Sequence, residues 1–226
     1  MKKRRYRENF GESCALAAKK AACIWGEWAV FQVRLSVRHW IEFLLREGNI
    51  DASKGGSNLT ERGLEGAKIH RWLQKQAGSG YQAEVSLLQE EPRGEILYVL
   101  EGRADGIFQT EDGTWTVDEI KTTEAPVETI TENFSSLHWA QAQCYAYIWA
   151  EQHQLEEMDV QLTYYQVDTG ELRRFVRRFS RQELREKIDK WLEDYRKWAE
   201  FERDWGEIRR ETAHGLSFPF PAYRPG

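Results

Sequence analysis

The chain has 226 residues, of which 41% are hydrophobic and 31% charged, and its formal net charge is −5. This composition suits one folded domain of ordinary size and argues against a disordered chain. The longest apolar runs fall far short of the ~20 residues that a membrane-spanning helix needs, so a transmembrane protein is excluded. The acidic balance excludes nucleic-acid binding through bulk positive charge.

Basic residues nevertheless cluster twice, at Lys2–Arg7 and at Arg173–Arg178. Such a cluster is often only a solvated surface. It can also form an edge that contacts phosphate groups. The sequence leaves both interpretations open for each cluster.

The three cysteines, Cys14, Cys23 and Cys144, do not form a disulfide framework. No C-x-x-C motif occurs, which argues against a zinc ribbon and against an iron–sulfur cluster. The basic N-terminus lacks the apolar core of a signal peptide, because Lys19 and Lys20 interrupt its apolar stretch. We therefore expect a cytoplasmic protein.

The predicted elements begin after residues 1–30. We interpret those residues as an appendage, because their apolar residues show no clear helical or strand period. Apolar residues from Val33 to Leu45 recur at helical spacing, and this spacing predicts one helix. Ser36 is its possible cap and Gly48 its end. Residues 51–58 are expected to form a flexible loop.

A second helix is predicted from about Thr60 to Ala77. Its packed stripe includes His70 together with Gly63 and Gly66. We interpret the two glycines as points where another backbone approaches closely, and we expect His70 to face the interior.

The remaining segments alternate between strands and helices. Strands are predicted at 81–89, 94–101, 103–109, 114–121, 159–167 and 171–179, and helices at 136–152 and from Ser180 to about Trp205. Turns are expected at Glu91–Gly94, Glu111–Gly113 and Asp168–Gly170. Ser180 and Glu183 form a capping box for the last helix. This order predicts a single α/β or α+β domain.

The stretch richest in chemical groups runs from Glu101 to Thr123. Asp105 lies in one predicted strand, and Glu119 and Lys121 lie in the strand across the hairpin. Because side chains alternate along a strand, Glu119 and Lys121 share a face. The three side chains are therefore expected to converge on one patch.

Such a patch has the parts that metal-assisted phosphodiester hydrolysis needs. Two carboxylates can hold Mg²⁺ or Mn²⁺ through oxygen, and the ion can polarise a phosphate. A nearby lysine can stabilise charge that develops in the transition state. The alternative is a salt-bridge ladder on the surface of a hairpin, a pattern that often arises by chance.

Four neighbouring residues bear on that choice. Glu84 lies on an adjacent predicted strand, and His70 is either a core histidine or part of the site. Gln141 and Tyr145 share one helix face. They are either boundary residues of an amphipathic helix or groups that orient the lysine or touch a DNA backbone.

In this order and spacing the residues resemble the PD-(D/E)XK nuclease superfamily, and most closely its RecB-like branch with the added Q-x-x-x-Y motif. The resemblance covers roughly residues 33–205 and rests on these positions: Gly66 with His70, Glu84, Gly102–Gly106, Asp118–Lys121 and Gln141–Tyr145. It implies a restriction-endonuclease-like core, in which a central mixed β-sheet is flanked by helices.

The resemblance also implies roles for individual residues. By position, the metal-binding residues would be His70, Asp105, Glu119 and Ile120, the catalytic residues Asp105, Glu119, Lys121 and the orienting acid Glu84, and the DNA-binding residues Gln141 and Tyr145. The implied cofactor is Mg²⁺ or Mn²⁺. No iron–sulfur cluster is expected, because Cys144 alone lies within the domain, where it would be a packed helix residue.

The tail adds a second, weaker resemblance. Residues 215–226 are rich in aromatic residues and proline, and they resemble the segment before the first motor motif of DinG/XPD-like DNA helicases of Gram-positive bacteria. A plain packing arm is the alternative. No G-x-x-x-x-G-K-[ST] motif occurs, so no ATPase site is expected. We divide the chain into an appendage (1–30), a nuclease-like domain (31–210) and an arm or linker toward a possible helicase region (211–226).

The sequence thus favours a metal-dependent DNA nuclease, an exonuclease of repair or recombination. Its expected partners are DNA and a possible helicase, in the same or another polypeptide, and no membrane. An alternative of another class is a nucleic-acid-binding module that does not cleave and serves a helicase. A structural domain with a chance salt-bridge hairpin is the least favoured interpretation.

Overall fold

The computed structural model describes residues 31–46 and 59–213, with side chains from residue 63 in the second range. Within these ranges the strands and helices follow the order β1 (Phe31–Ser36), α1 (Val37–Leu45), α2 (Leu59–Gln76), β2 (Gln82–Arg93), β3 (Ile96–Gln109), β4 (Trp115–Thr123), α3 (Ser136–His153), β5 (Glu157–Gln166), β6 (Leu172–Ser180) and α4 (Arg181–Ala213). A short 3₁₀ turn, Val127–Thr129, precedes α3. None of these helices is both long enough and apolar enough to cross a membrane.

The six described strands form one mixed sheet. Its main path runs β1-β3-β4-β5-β6, and β2 pairs with β3 off this path. The pairs β1–β3 and β4–β5 are parallel, whereas β2–β3, β3–β4 and β5–β6 are antiparallel. The predicted mixed sheet is therefore confirmed.

Helices cover both faces of the sheet. Trp72 of α2 contacts Tyr165, and His138 of α3 lies beside Tyr164. Successive residues of a strand face opposite sides, so α2 and α3 lie on opposite faces. The predicted arrangement of a sheet flanked by helices is confirmed.

Helix α3 forms the centre of the core. It packs on β4 and β5 with one side, and α1 and α4 pack on its other side. Every residue from Trp139 to Ala150 is buried as a result. This includes Cys144, which is fully buried as predicted.

The first helix is present with Ser36 at its N-cap position, as predicted, although the Ser36 side chain makes no capping hydrogen bond. The prediction that the helical pattern begins at Val33 was wrong. Residues 31–36 form β1, and the helix begins at Val37. Val33 and Leu35 are buried, and they alternate with exposed Gln32 and Arg34. Parallel pairing with β3 decides between the two periods, because the same apolar positions fit a strand and the start of a helix.

Strand β3 corrects a second prediction. The strands expected at 94–101 and 103–109 are one continuous strand that passes through Gly102. The turn before it is also shorter than expected, because β2 continues through Pro92 to Arg93. Proline is tolerated there because β2 pairs with β3 alone in the described ranges, so its other edge needs no N–H donor.

The last helix begins as predicted and ends later. Ser180 N donates to Glu183 Oε2 at 2.8 Å, and Glu183 N donates to Ser180 Oγ at 3.2 Å, which confirms the capping box. The helix continues past Trp205 to Ala213. The first helix ends at Leu45, three residues before the predicted end at Gly48, because Arg46 is already extended. Other predictions fall outside the described residues: the 1–30 appendage with its Lys2–Arg7 cluster, the 51–58 loop, and the arm beyond residue 213.

Candidate active site

The site lies where the sheet divides. Strand β2 occupies one edge of β3 along most of its length, so β1 and β4 share the other edge. β1 pairs with residues 96–101 of β3, and β4 pairs with residues 106–109. The residues between them, including Asp105, face the gap. Ile120 pairs with Thr163 of β5 but has no partner on β3, and its N–H donates instead to Asp105 Oδ2 at 2.8 Å.

Glu119 and Lys121 face the α3 side of this gap. Lys121 Nζ lies 2.6 Å from Glu119 Oε1. Glu119 is only 2% exposed, and its second oxygen, Oε2, is buried without a hydrogen-bond partner. The predicted shared face of Glu119 and Lys121 is therefore confirmed, and one carboxylate oxygen is left for a ligand.

The charges around Glu119 act on one another. Burial, the largest influence, raises the pKa of the Glu119 carboxyl. The Lys121 ammonium and the His70 imidazole oppose that rise, and the Asp105 carboxylate adds to it. The four groups therefore form one electrostatic unit, in which a further cation would favour the ionised form of Glu119.

Asp118 faces the opposite side of the sheet and is buried there. Tyr81 OH donates to Asp118 Oδ2 at 3.0 Å, and Thr163 Oγ1 donates to Oδ1 at 2.6 Å. The Tyr81 ring crosses Gly106 so closely that a Cβ there would lie 1.8 Å from the Tyr81 hydroxyl. Both oxygens of Asp118 accept hydrogen bonds, whereas Glu119 has one oxygen without a partner, so the adjacent carboxylates have different surroundings.

Gln141 and Tyr145 support the lysine from α3. Lys121 Nζ donates to Gln141 Oε1 at 3.3 Å, and Gln141 Nε2 donates to the Tyr145 hydroxyl at 3.3 Å. A Cβ on Gly102 would lie 2.6 Å from the Tyr145 ring, so the glycine lets that ring approach β3. The structure thus brings Gln141 to the lysine, one of the two expected roles. Contact of Gln141 or Tyr145 with DNA stays a prediction.

His70 reaches the site from α2. Its Nδ1 lies 3.4 Å from Asp105 Oδ1, so it faces the carboxylate as expected. The interpretation of the two glycines on its stripe was wrong. A Cβ on Gly63 would meet nothing within 4 Å, and one on Gly66 would make ordinary contact with Thr122 at 3.5 Å.

Glu84 stands opposite Asp105 but does not pair with it. The register joins Ala83 to Gly106 and Val85 to Ala104, and it omits Glu84, whose φ is +55°. A non-glycine residue in this left-handed region costs free energy and is held by its surroundings. The Glu84 carboxylate is bound by Arg103 Nε at 2.6 Å and by Gln74 Nε2 at 3.1 Å.

Gln74 is a site residue that the sequence analysis missed. Its amide donates to Glu84 Oε1 and, at 2.9 Å, to the backbone oxygen of Asp105. It therefore joins Glu84 to the strand that carries Asp105. A signal was present, because Gln74 lies one helical turn after His70 and so on the same face of α2.

His138 is a second residue that was missed. It lies on α3 with its Nδ1 2.9 Å from the Tyr164 hydroxyl. Burial lowers the pKa of His138 from 6.5 to about 4, and the charges of Lys121 and Arg38 add to the effect. His138 is therefore a neutral neighbour of the lysine at neutral pH.

We expect His138 to make the fold sensitive to acid. The unfolded chain accepts a proton on this residue near pH 6.5, and the folded chain does so only near pH 4. The stabilisation is complete above pH 6.5 and is lost as the pH falls toward 4. Between about pH 7 and about pH 5, the free energy of unfolding should fall by about 2 kcal/mol through this group. Urea unfolding of His138→Gln, which cannot titrate, should lack this part of the pH dependence, and equal pH slopes would contradict the assignment.

The donor set fits a hard divalent cation in part. Within the described ranges, no three His, Cys, Asp or Glu side chains are gathered closely enough to hold a metal ion by themselves. Two carboxylate oxygens of the site are candidates: Glu119 Oε2, which has no hydrogen-bond partner, and Asp105 Oδ1, which lies 3.4 Å from His70 Nδ1. Mg²⁺ is commonly held by one or two carboxylates, with water or phosphate completing its shell, so two carboxylates are chemically sufficient.

Comparisons with known proteins give structural likeness only. No family model matches the chain, and no curated protein matches it. SSO0001 has a solved structure with 16% identity and a TM-score of 0.46, covering 70% of this chain and 74% of its own. An alkaline exonuclease from Laribacter hongkongensis has 15% identity and a TM-score of 0.42, and the match covers 81% of this chain and 95% of that protein. A phage-related exonuclease from Haemophilus somnus 129PT has 14% identity and a TM-score of 0.41, and the match covers 76% of this chain and 82% of that protein. Similarity this low does not by itself assign a function to the chain.

Proposed function

We propose that this protein is a metal-dependent DNA nuclease of the PD-(D/E)XK type. The observation that carries the proposal is the Glu119 carboxylate. It is buried, one oxygen is paired with Lys121 at 2.6 Å, and the other oxygen has no partner. An unpartnered buried carboxylate oxygen is costly, and a bound cation would offset that cost.

Asp105 and Glu119 are the proposed metal ligands. Ile120 would contribute its backbone carbonyl, because its buried side chain is apolar. His70, which faces Asp105 Oδ1, is the proposed additional ligand, and it would have to move closer to Glu119 to share a cation with both carboxylates. The cation, Mg²⁺ or Mn²⁺, would supply Lewis-acid activation of a phosphate and of water.

Lys121 is the proposed catalytic lysine. Its ammonium is held between Glu119 and Gln141, so its direction is fixed before substrate binds. A fixed positive charge stabilises a developing anion without the cost of reorganisation. Gln141 and Tyr145 are proposed to position the lysine and to contact DNA. Glu84, held by Arg103 and Gln74, is proposed to orient the strand that carries Asp105.

The proposal extends to an exonuclease that acts in DNA repair or recombination in the cytoplasm. A helicase partner, the division at residues 30 and 210, and the absence of an iron–sulfur cluster remain predictions. The resemblance of the sequence to RecB-like nucleases and DinG-like helicases supports the helicase partner and the division, and the presence of Cys144 alone in the domain supports the absence of a cluster.

The test is a cleavage assay on end-labelled DNA. Pure protein is incubated with single-stranded and double-stranded linear DNA, and with circular DNA of each kind, in Mg²⁺, Mn²⁺ or EDTA. We expect degradation of linear DNA with either metal, none in EDTA, and none on circles if an end is required. Asp105→Asn, purified in parallel, controls for contaminating nucleases.

Two results would overturn parts of the proposal. Cleavage of circles would replace the exonuclease assignment with an endonuclease. Binding of DNA without cleavage under every metal condition would favour the module that binds and does not cut.

A further inference from the structure

One row of residues crosses the sheet from the site to its edge. Lys121 pairs with Tyr164, and Tyr164 pairs with Arg173 on strand β6. Paired residues point to the same side of a sheet, so the Arg173 side chain lies on the α3 face with Lys121. Two strand spacings separate their backbones, which is about 10 Å.

Two phenylalanine rings contact Tyr164, the middle residue of this row. Phe134 is 44% exposed and meets Tyr164 nearly at right angles, with 5.6 Å between ring centroids. A perpendicular contact leaves at least one face of the Phe134 ring uncovered by Tyr164. Tyr164 also contacts Phe175, and the Arg173 guanidinium lies over Phe175 at 5.4 Å.

The charge of Arg173 is available to a ligand. Within the described ranges, Arg173 is exposed and forms no ion pair with a carboxylate, whereas two other arginines of β6 do. Arg177 is bound to Glu132, and Arg178 is bound to Asp159 at 2.8 Å. Arg174 likewise forms no ion pair within the described ranges, but Arg173 is the one of the two that lies on the row with Lys121.

We infer that Phe134, Phe175 and Arg173 form a binding platform for single-stranded DNA, and that this platform leads the strand to Lys121. The inference rests on the proposed function for the position of the scissile bond. Arg173 would contact a backbone phosphate, and the exposed Phe134 ring would stack on a base.

The aromatic component decides between single-stranded and duplex DNA. A surface of cations alone binds the phosphates of both forms. An exposed ring can stack only on a base whose face is free, and the bases of a duplex already stack on one another. The platform therefore selects an unpaired strand.

The test is equilibrium binding in EDTA, where cleavage does not interfere. Fluorescence anisotropy measures the affinity of the full chain for a labelled oligothymidylate and for a labelled duplex, over a range of salt. Arg173→Gln should reduce the slope of log K against log salt for the single strand by about 0.7, which is one phosphate contact. Phe134→Ala should weaken single-strand binding by about 5-fold or more and leave duplex binding within about twofold.

The strand supplies a matched control. Arg174 is the next residue, is also exposed and points to the opposite face, so Arg174→Gln should leave both affinities within about twofold. Phe134→Leu retains apolar packing on Tyr164 without the ring, and it should behave like Phe134→Ala. A thermal melt checks that each variant is folded.

Three results would overturn the inference. One is an unchanged single-strand affinity in both Phe134 variants. Another is an equal loss in Arg173→Gln and Arg174→Gln, which would indicate bulk charge. The third is an equal loss on single-stranded and duplex DNA. A wild-type protein that binds single strands through this platform but never cuts would reject the nuclease and retain the platform.

Discussion

Lys121→Ala should lower the rate of DNA cleavage by about 10²–10³-fold and leave DNA affinity nearly unchanged. The ammonium acts on charge that develops in the transition state, and losing one such fixed contact costs about this much. Single-turnover cleavage with Mg²⁺ measures the rate, and anisotropy in EDTA measures the affinity. Lys75→Ala, which removes an exposed lysine of α2, is the matched control and should cleave at the wild-type rate.

The same substitution has a consequence for stability. Glu119 is buried, and Lys121 is its hydrogen-bonding partner. Leaving a buried charge without its partner costs about 3–5 kcal/mol of stability, but the Glu119 carboxyl can take up a proton and become neutral instead. We therefore expect a folded variant with a smaller loss of stability, measured by urea unfolding. Wild-type cleavage by folded Lys121→Ala would show that the catalytic lysine has been assigned to the wrong residue.

Local patterns predicted most of the fold from α2 onward. The capping box at Ser180 and Glu183 depends on residues three apart, so the sequence alone contains it. The alternation that puts Glu119 and Lys121 on one face is likewise local. Both features are present in the structure.

Features that depend on distant partners were not predictable. Val33 and Leu35 fit a strand or a helix, and their pairing with β3 decides between them. The passage of β3 through Gly102 depends on pairing with Leu87 of β2. The close contact that favours glycine there is with the ring of Tyr145, which is 43 positions later in the sequence. Sequence periodicity does not report such contacts.

The candidate site divides in the same way. The motif residues were predictable as a set, because their types and order resemble a known superfamily. The residues that support them were not predictable, since Gln74 forms its hydrogen bonds with Glu84 and Asp105 only after α2 has packed beside β3. The hydrogen bond from Ile120 N to Asp105 also depends on the point where β3 and β4 separate.

Asp105→Asn should abolish both cleavage and Mn²⁺ binding while retaining the fold. The side-chain oxygen of asparagine can still accept from Ile120 N, which Asp105 now does at 2.8 Å. A neutral amide is a poorer ligand than a carboxylate for a hard dication, so the site would lose one of its two proposed charged ligands. Isothermal calorimetry with Mn²⁺ separates this case from Lys121→Ala, which should still bind the metal.

Asp118→Asn is the matched control for that experiment. It makes the same chemical change on the neighbouring strand, at a carboxylate that faces away from Lys121 and is occupied by Tyr81 and Thr163. It should retain Mn²⁺ binding, although losing one of these two hydrogen bonds should cost about 1 kcal/mol of stability. If Asp118→Asn loses the metal and Asp105→Asn retains it, the cation binds on the other side of the sheet. In that case the gap between β3 and β4 would not be the active site.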